Sequence, residues 1–144
     1  METTESRMHC MSIHTCYVDE MRSGNKQIEL RKYDPHIEPG EWVAIYETLP
    51  TGSIGSAFRA GDTFVSDPER FWFDYWKVLG IEEGPYFEYF KGKPLTYGIH
   101  IEEFVEIEPM TLGELRREYG FTAPQGIVRA KPKLRRAIED QFPI

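Results

Sequence analysis

Lys26, Glu29 and Arg31 lie within one short run, Gly24-Asn25-Lys26-Gln27-Ile28-Glu29-Leu30-Arg31, where a glycine turn leads into an extended segment. Just past the turn, the Lys26 ammonium is placed to donate to a phosphate or a base carbonyl as a point charge. Side chains alternate along an extended segment, so Glu29 and Arg31 share one face about 7 Å apart, with Ile28 and Leu30 on the other. A carboxylate and a guanidinium at that spacing either face a ligand or neutralise each other as an ion pair. A catalytic use is also open, with Glu29 as general base toward water and Lys26 stabilising the developing oxyanion.

The elements that must position these groups are short strands interrupted by helices. Met11 to His14 read as a strand, and Thr15 to Ser23 as a helix capped by Thr15, with Tyr17, Val18 and Met21 on its apolar side and Gly24 ending it. Gln27 to Tyr33 form the strand of the run. Turns at Asp34-Pro35 and Pro39-Gly40 lead to a strand over Trp42 to Thr48 and a long one over Ser53 to Val65, where Gly55 and Gly61 are candidate bulges. Ser66-Asp67-Pro68 opens a helix to about Leu79, and a short helix follows over Pro85 to Phe90. Leu95 to Ile107 return to strand, Thr111 with Glu114 makes a capping box, and Pro132 to Phe142 read as a basic helix packed through Leu134, Ile138 and Phe142. The implied class is α+β, a small β-barrel with peripheral helices.

The chain has 144 residues, 40% hydrophobic and 14% aromatic, enough for one well-packed domain and against global disorder. The expected organisation is an N-terminal tail over residues 1–10, disordered, and a single domain over 11–144 with a C-terminal helical extension. No apolar run suggests a signal peptide or a membrane span, so the expected location is cytoplasmic with no membrane partner. His9, Cys10, His14 and Cys16 are close in sequence, but their spacing fits no standard zinc motif, and neither metal nor cofactor is expected. A net charge of −7 argues against a uniformly basic nucleic-acid binder. Cations nevertheless gather at Arg22, Lys26, Arg31 and Lys32, and again at Arg129, Lys131, Lys133, Arg135 and Arg136, the latter run reading as a solvated helix face. Glu82, Glu83, Glu88, Glu102, Glu103, Glu106 and Glu108 crowd the middle.

The pattern G-x-K-x-x-E-x-R, followed by Glu38-Pro39-Gly40 and the hydrophobic strand to Tyr46, resembles the ASCH family of the PUA-like superfamily. Ser53-Ile54-Gly55-Ser56-Ala57-Phe58 and Leu95-Thr96-Tyr97-Gly98-Ile99-His100-Ile101 are similar to later strands of that barrel, and the likeness runs over roughly residues 12 to 125. It implies a PUA-like barrel in which Lys26, Glu29 and Arg31 line a ligand groove. Tyr46 and Tyr97, on strands resembling the ligand-side ones, would stack on a base, and Thr48, Ser53 and Ser56 would offer hydroxyls to the groove. Core packing is the competing fate of both tyrosines. Trp72, Tyr75 and Trp76 form one helix face and read as core or interface.

Some ASCH proteins resemble amidohydrolases of acylated cytidine, with threonine as nucleophile in G-x-K-x-x-T-x-R. Glu29 stands at that position here and cannot perform the hydroxyl addition. The first expectation is therefore a binding module for a nucleotide or RNA, with single-stranded DNA as a further candidate. The alternatives are a small hydrolase, ribonuclease or amidohydrolase, using Lys26 and Glu29 as catalytic residues, and a protein-interaction adaptor or coactivator with a protein partner.

Overall fold

The computed structural model describes residues 7–143. Its elements in chain order are β1 (Met8–Ile13), α1 (Thr15–Ser23), β2 (Ile28–Arg31), β3 (Trp42–Glu47), β4 (Ser53–Ser66), α2 (Pro68–Tyr75), α3 (Glu83–Tyr89), β5 (Thr96–Thr111), α4 (Leu112–Tyr119), β6 (Ile127–Arg129) and α5 (Pro132–Glu139), with one 3-10 turn, Trp76–Val78, after α2. The strands form one sheet in the order β2-β5-β4-β3-β1-β6, antiparallel throughout except for the parallel β1–β3 pair. The class is α+β, as the strand pattern implies, and the expected barrel is present as a curled, open half-barrel. No helix among the described residues is long and apolar enough to cross a membrane.

Two long strands curl the sheet. β4 and β5 pair along nearly their whole length, and their register shifts at Ile54/Ser56, around Gly55, and between Ala60 and Thr63, across Gly61. Each extra residue bends and twists the ladder, so the two glycines lie where the strand turns its corners. The curl carries the outermost strands, β2 and β6, around toward each other. A side-chain contact proves the approach: Arg31 at the end of β2 donates to the carbonyl of Ser12 in β1, the neighbour of β6.

Inside the curl, Met11, Ile13, Val43, Ile45, Phe58 and Ile99 pack with Val18 and Met21 of α1. Outside, Met8, Cys10, Ala44 and Tyr46 meet Leu115 of α4 and Leu134 and Ile138 of α5. A third cluster puts Ile28 and Leu30 of β2 against Phe71 of α2, Tyr86 of α3 and Phe90 just after it. Strand alternation thus sends the apolar residues of β2 outward and leaves Glu29 and Arg31 facing in.

Several expected boundaries move, each for a tertiary reason. The strand expected from Met11 begins at Met8, because residues 8–13 align with Trp42 to Glu47 and Met8 is buried. The expected disordered tail is therefore corrected at Met8 to Cys10, and its residues 1–6 lie outside the described part. Strand β6 has no counterpart in the sequence reading; three residues are too few to show a period. Thr15 is not the cap of α1: His14 is, without a side-chain bond, and the Thr15 hydroxyl meets that of Thr51 at 2.7 Å. The helix expected to reach Leu79 stops at Tyr75, because the Val78 carbonyl accepts the Gln27 amide and the Leu79 carbonyl accepts Lys26 Nζ. The caps at Asp67 and Thr111 do form, accepting from Arg70 N at 3.0 Å and Glu114 N at 3.2 Å.

Close packing makes Gly98 obligatory: an added Cβ would collide with the Phe71 ring and stand 2.7 Å from Ile28 Cγ2. Gly98→Ala is expected to lower stability by about 1–3 kcal/mol, the usual cost of overpacking. Gly55→Ala, whose Cβ stops 3.7 Å from Pro109, should cost clearly less in the same urea titration.

Candidate functional site

Gly24 ends α1 in the left-handed region at φ 85°, and the chain doubles back so that the Lys26 amide reaches Glu20 O at 3.0 Å. The Lys26 side chain then points inward and is 3% exposed. Its Nζ donates to Ile28 O at 2.8 Å and Leu79 O at 3.2 Å, lies 3.5 Å from Glu29 Oε1, and stands 5.8 Å from the Tyr17 ring centre. Burial pulls the Lys26 pKa below its ordinary value, and Glu29 restores only part of it. Glu29, also buried, accepts from Arg31 Nη2 through its other oxygen at 2.9 Å. The same Nη2 reaches Ser12 O at 3.4 Å. Arg31 Nε is buried without a partner, and Nη1 makes no hydrogen bond to a described residue. The three charges form a chain running from a buried ammonium to a guanidinium with unused donors.

Arg31 borders a cleft of about 590 Å³ between the segment 31–36 at the end of β2 and the segment 125–129 that contains β6. It occupies the gap where the curled sheet fails to close. Arg7, Arg31, Lys32 and Arg129 line it against a single carboxylate, Asp34, so it is cationic within a chain of net charge −7. Tyr33 and Tyr89 supply aromatic rings, each covered by an ammonium: Lys32 Nζ lies 4.3 Å from the Tyr89 ring centre and Lys93 Nζ 4.9 Å from that of Tyr33. The Lys93 hydrogen bond, 2.7 Å long, lowers the Tyr33 pKa, whereas burial raises that of Tyr89.

Lys26, Glu29 and Arg31 are brought together, yet only Arg31 borders the cleft. Tyr97 stands across from Arg31 in the β2–β5 pair, half-buried and outside the cleft lining. Tyr46, expected at the groove, turns to the other face with Trp42 and Ala44 and packs 5.6 Å from Phe121. Thr48 and Ser53 do not reach the cleft: the Thr48 hydroxyl bonds His14 Nδ1 at 2.9 Å, and Ser53 is buried in the ladder between Glu47 and Thr111. Ser56 is buried as well, its hydroxyl without a partner. The rings of the cleft are instead Tyr33 and Tyr89. Tyr33 was within reach of a sequence signal, since it keeps the two-residue spacing of Glu29 and Arg31. Tyr89 and Arg129 arrive from distant elements and carry none.

The His9, Cys10, His14, Cys16 group is dispersed by strand alternation, and no metal-binding cluster occurs among the described residues. His9 turns inward to Glu41, Cys10 outward into the core, and Cys16 lies exposed on α1. Desolvation pushes the Cys10 thiol up to about 12.

No protein-family model and no curated protein sequence matches the chain. Solved structures do. A crystal structure of the Zymomonas mobilis ASCH protein superposes with TM-score 0.85 at 20% identity, covering 92% of this chain and 94% of that one. The fold is that of an ASCH domain. A serine-to-alanine mutant of the same protein matches with TM-score 0.87 at 19% identity over 96% of this chain and 98% of the other, and a tyrosine-to-phenylalanine mutant with 0.85 at 19% over 92% and 96%.

Two tests follow from the site. Lys26→Met alone removes one of the two cations paired with the buried Glu29 and the side-chain donor to two carbonyls, and is expected to cost about 3 kcal/mol or more. Adding Glu29→Gln should recover part of that loss, giving a double-mutant cycle with coupling above about 1 kcal/mol by urea unfolding; additive losses would show that the pair is not coupled. Under native conditions a maleimide should modify Cys16 alone, with Cys10 reacting only after denaturation, as counted by intact mass.

Proposed function

We propose that the cleft between β2 and β6 binds a nucleotide or a short single-stranded RNA segment, with Arg31 as its central anion contact. The observation that carries this reading is the concentration of Arg7, Arg31, Lys32 and Arg129 in one concave volume of an otherwise acidic protein, beside two accessible tyrosine rings. Clustered cations in a cleft attract phosphates locally, whatever the overall charge. Tyr33 and Tyr89 add stacking surfaces, each base–ring contact being worth about 1–3 kcal/mol. Lysines now lying over those rings already mark their faces as favourable for a flat, electron-poor partner.

Within this reading Lys26 and Glu29 position rather than touch. Glu29 holds one corner of the guanidinium and Lys26 holds Glu29, which leaves Arg31 Nη1 for ligand oxygens. The hydrolytic alternative receives less support, because Glu29 is engaged by two cations and neither it nor Lys26 borders the cleft.

Titration with adenosine monophosphate and short oligoadenylates should quench tyrosine fluorescence, with affinity falling as salt rises. Arg31→Ala and Lys32→Ala are each expected to weaken binding about tenfold and to reduce the log–log salt slope by about 0.7. Absence of any response across mononucleotides and oligomers removes the proposal. Turnover of RNA that survives Arg31→Ala but not Glu29→Gln would favour the hydrolase instead.

A further inference from the structure

The β1–β6 end of the cleft holds a group of side chains that the reading above leaves unused. His9 is 6% exposed and still forms part of the cleft wall. Its Nε2 lies 2.8 Å from Glu41 Oε1, an oxygen that also accepts the Glu38 amide at 2.9 Å, while Arg7 Nε stands 3.3 Å from the other carboxylate oxygen. Burial by itself would raise the Glu41 pKa, but the Glu38 amide, His9 and Arg7 outweigh it and keep the carboxyl below its ordinary value. An ionised carboxylate only accepts, so Nε2 donates to Glu41 and Nδ1 is the ring nitrogen left for a ligand. Nδ1 has no hydrogen-bond partner among the described residues. Arg129 pairs directly with His9 across the β1–β6 ladder, which puts the two side chains on one face with Cβ atoms about 5 Å apart.

Two arginines beside a ring nitrogen that can take up or give a proton discriminate between phosphates. A phosphodiester satisfies the arginines but has no proton to share with the imidazole. A phosphomonoester has its second pKa near 6 and so has a proton to share with an imidazole near neutrality. Either the phosphate O–H donates to Nδ1, or that proton resides on Nδ1 and the ring donates to the dianion; the atoms and total charge are the same in both. Burial acts in the same direction, because a residue recessed in the wall is reached by the end of a nucleotide chain more easily than by a backbone continuing on both sides.

We propose that Arg7, His9 and Arg129 form a subsite for a terminal phosphomonoester, so that the ligand of the cleft is a phosphorylated nucleotide or RNA end. This deepens the nucleotide reading of the same cleft and rests on it. Calorimetric titration at pH 7 with ApA, ApApA, pApA and ApAp separates the two, since ApApA adds a diester charge without a monoester and the last two place the monoester at opposite ends. One of the end-phosphorylated dinucleotides is expected to bind about tenfold more tightly than ApApA, the effect of a hydrogen-bonded charged contact. In His9→Gln and in Arg129→Gln that ratio should collapse to about threefold or less. Arg129 sits on an edge strand, so its variant keeps the test valid if His9→Gln fails to fold. Equal binding of ApApA, pApA and ApAp overturns the subsite and leaves the nucleotide reading standing; no binding by any of the four overturns both.

Discussion

A buried ammonium is the constraint on which this structure turns. Lys26 is removed from water, at a desolvation cost of several kcal/mol, and is retained only because two backbone carbonyls and a carboxylate converge on it. Each of those contacts fixes something else. The Leu79 carbonyl ends the helical run after α2 and brings that segment against the strand, the Ile28 carbonyl shapes the entry to β2, and Glu29 transmits the charge to Arg31. The run that reads in sequence as three ligand groups is, in three dimensions, one ligand group and two supports.

Failure of the sheet to close is the second determinant. A closed barrel would pair β2 with β6 and abolish both edges. Here the edges approach closely enough for Arg31 to reach the Ser12 carbonyl, and the gap persists as a cleft with basic walls. Charge elsewhere on the inner side is neutralised rather than displayed. Arg22 meets Asp19, Glu47 and Glu106 at 2.7, 2.6 and 2.8 Å, and although burial opposes its charge those three hydrogen bonds hold it firmly protonated.

Local chemistry decided the features that were legible beforehand. Gly24 ends α1 in the left-handed region, Asp67 and Thr111 cap their helices, and Gly55 and Gly61 mark the corners of β4, because each depends on one or two residues and their immediate backbone. The inward pair Glu29/Arg31 and the outward pair Ile28/Leu30 likewise follow from alternation alone. Tyr46 shows where that reasoning stops. Strand alternation requires that it share a face with Trp42 and Ala44, but which face looks into the barrel depends on helices α4 and α5, encoded more than sixty residues later.

The sequence by itself determined the α+β class, the element types, and the neighbourhood of Lys26, Glu29 and Arg31, since all of these are set by contacts a few residues apart. Only the tertiary structure decided that Lys26 is buried, that Arg31 alone of the three meets open space, and that Arg7, His9, Tyr89 and Arg129 stand around it. The physical reason is that burial and electrostatic environment belong to the curl of the sheet, which brings together segments far apart in the chain and has no signature in any local stretch of residues.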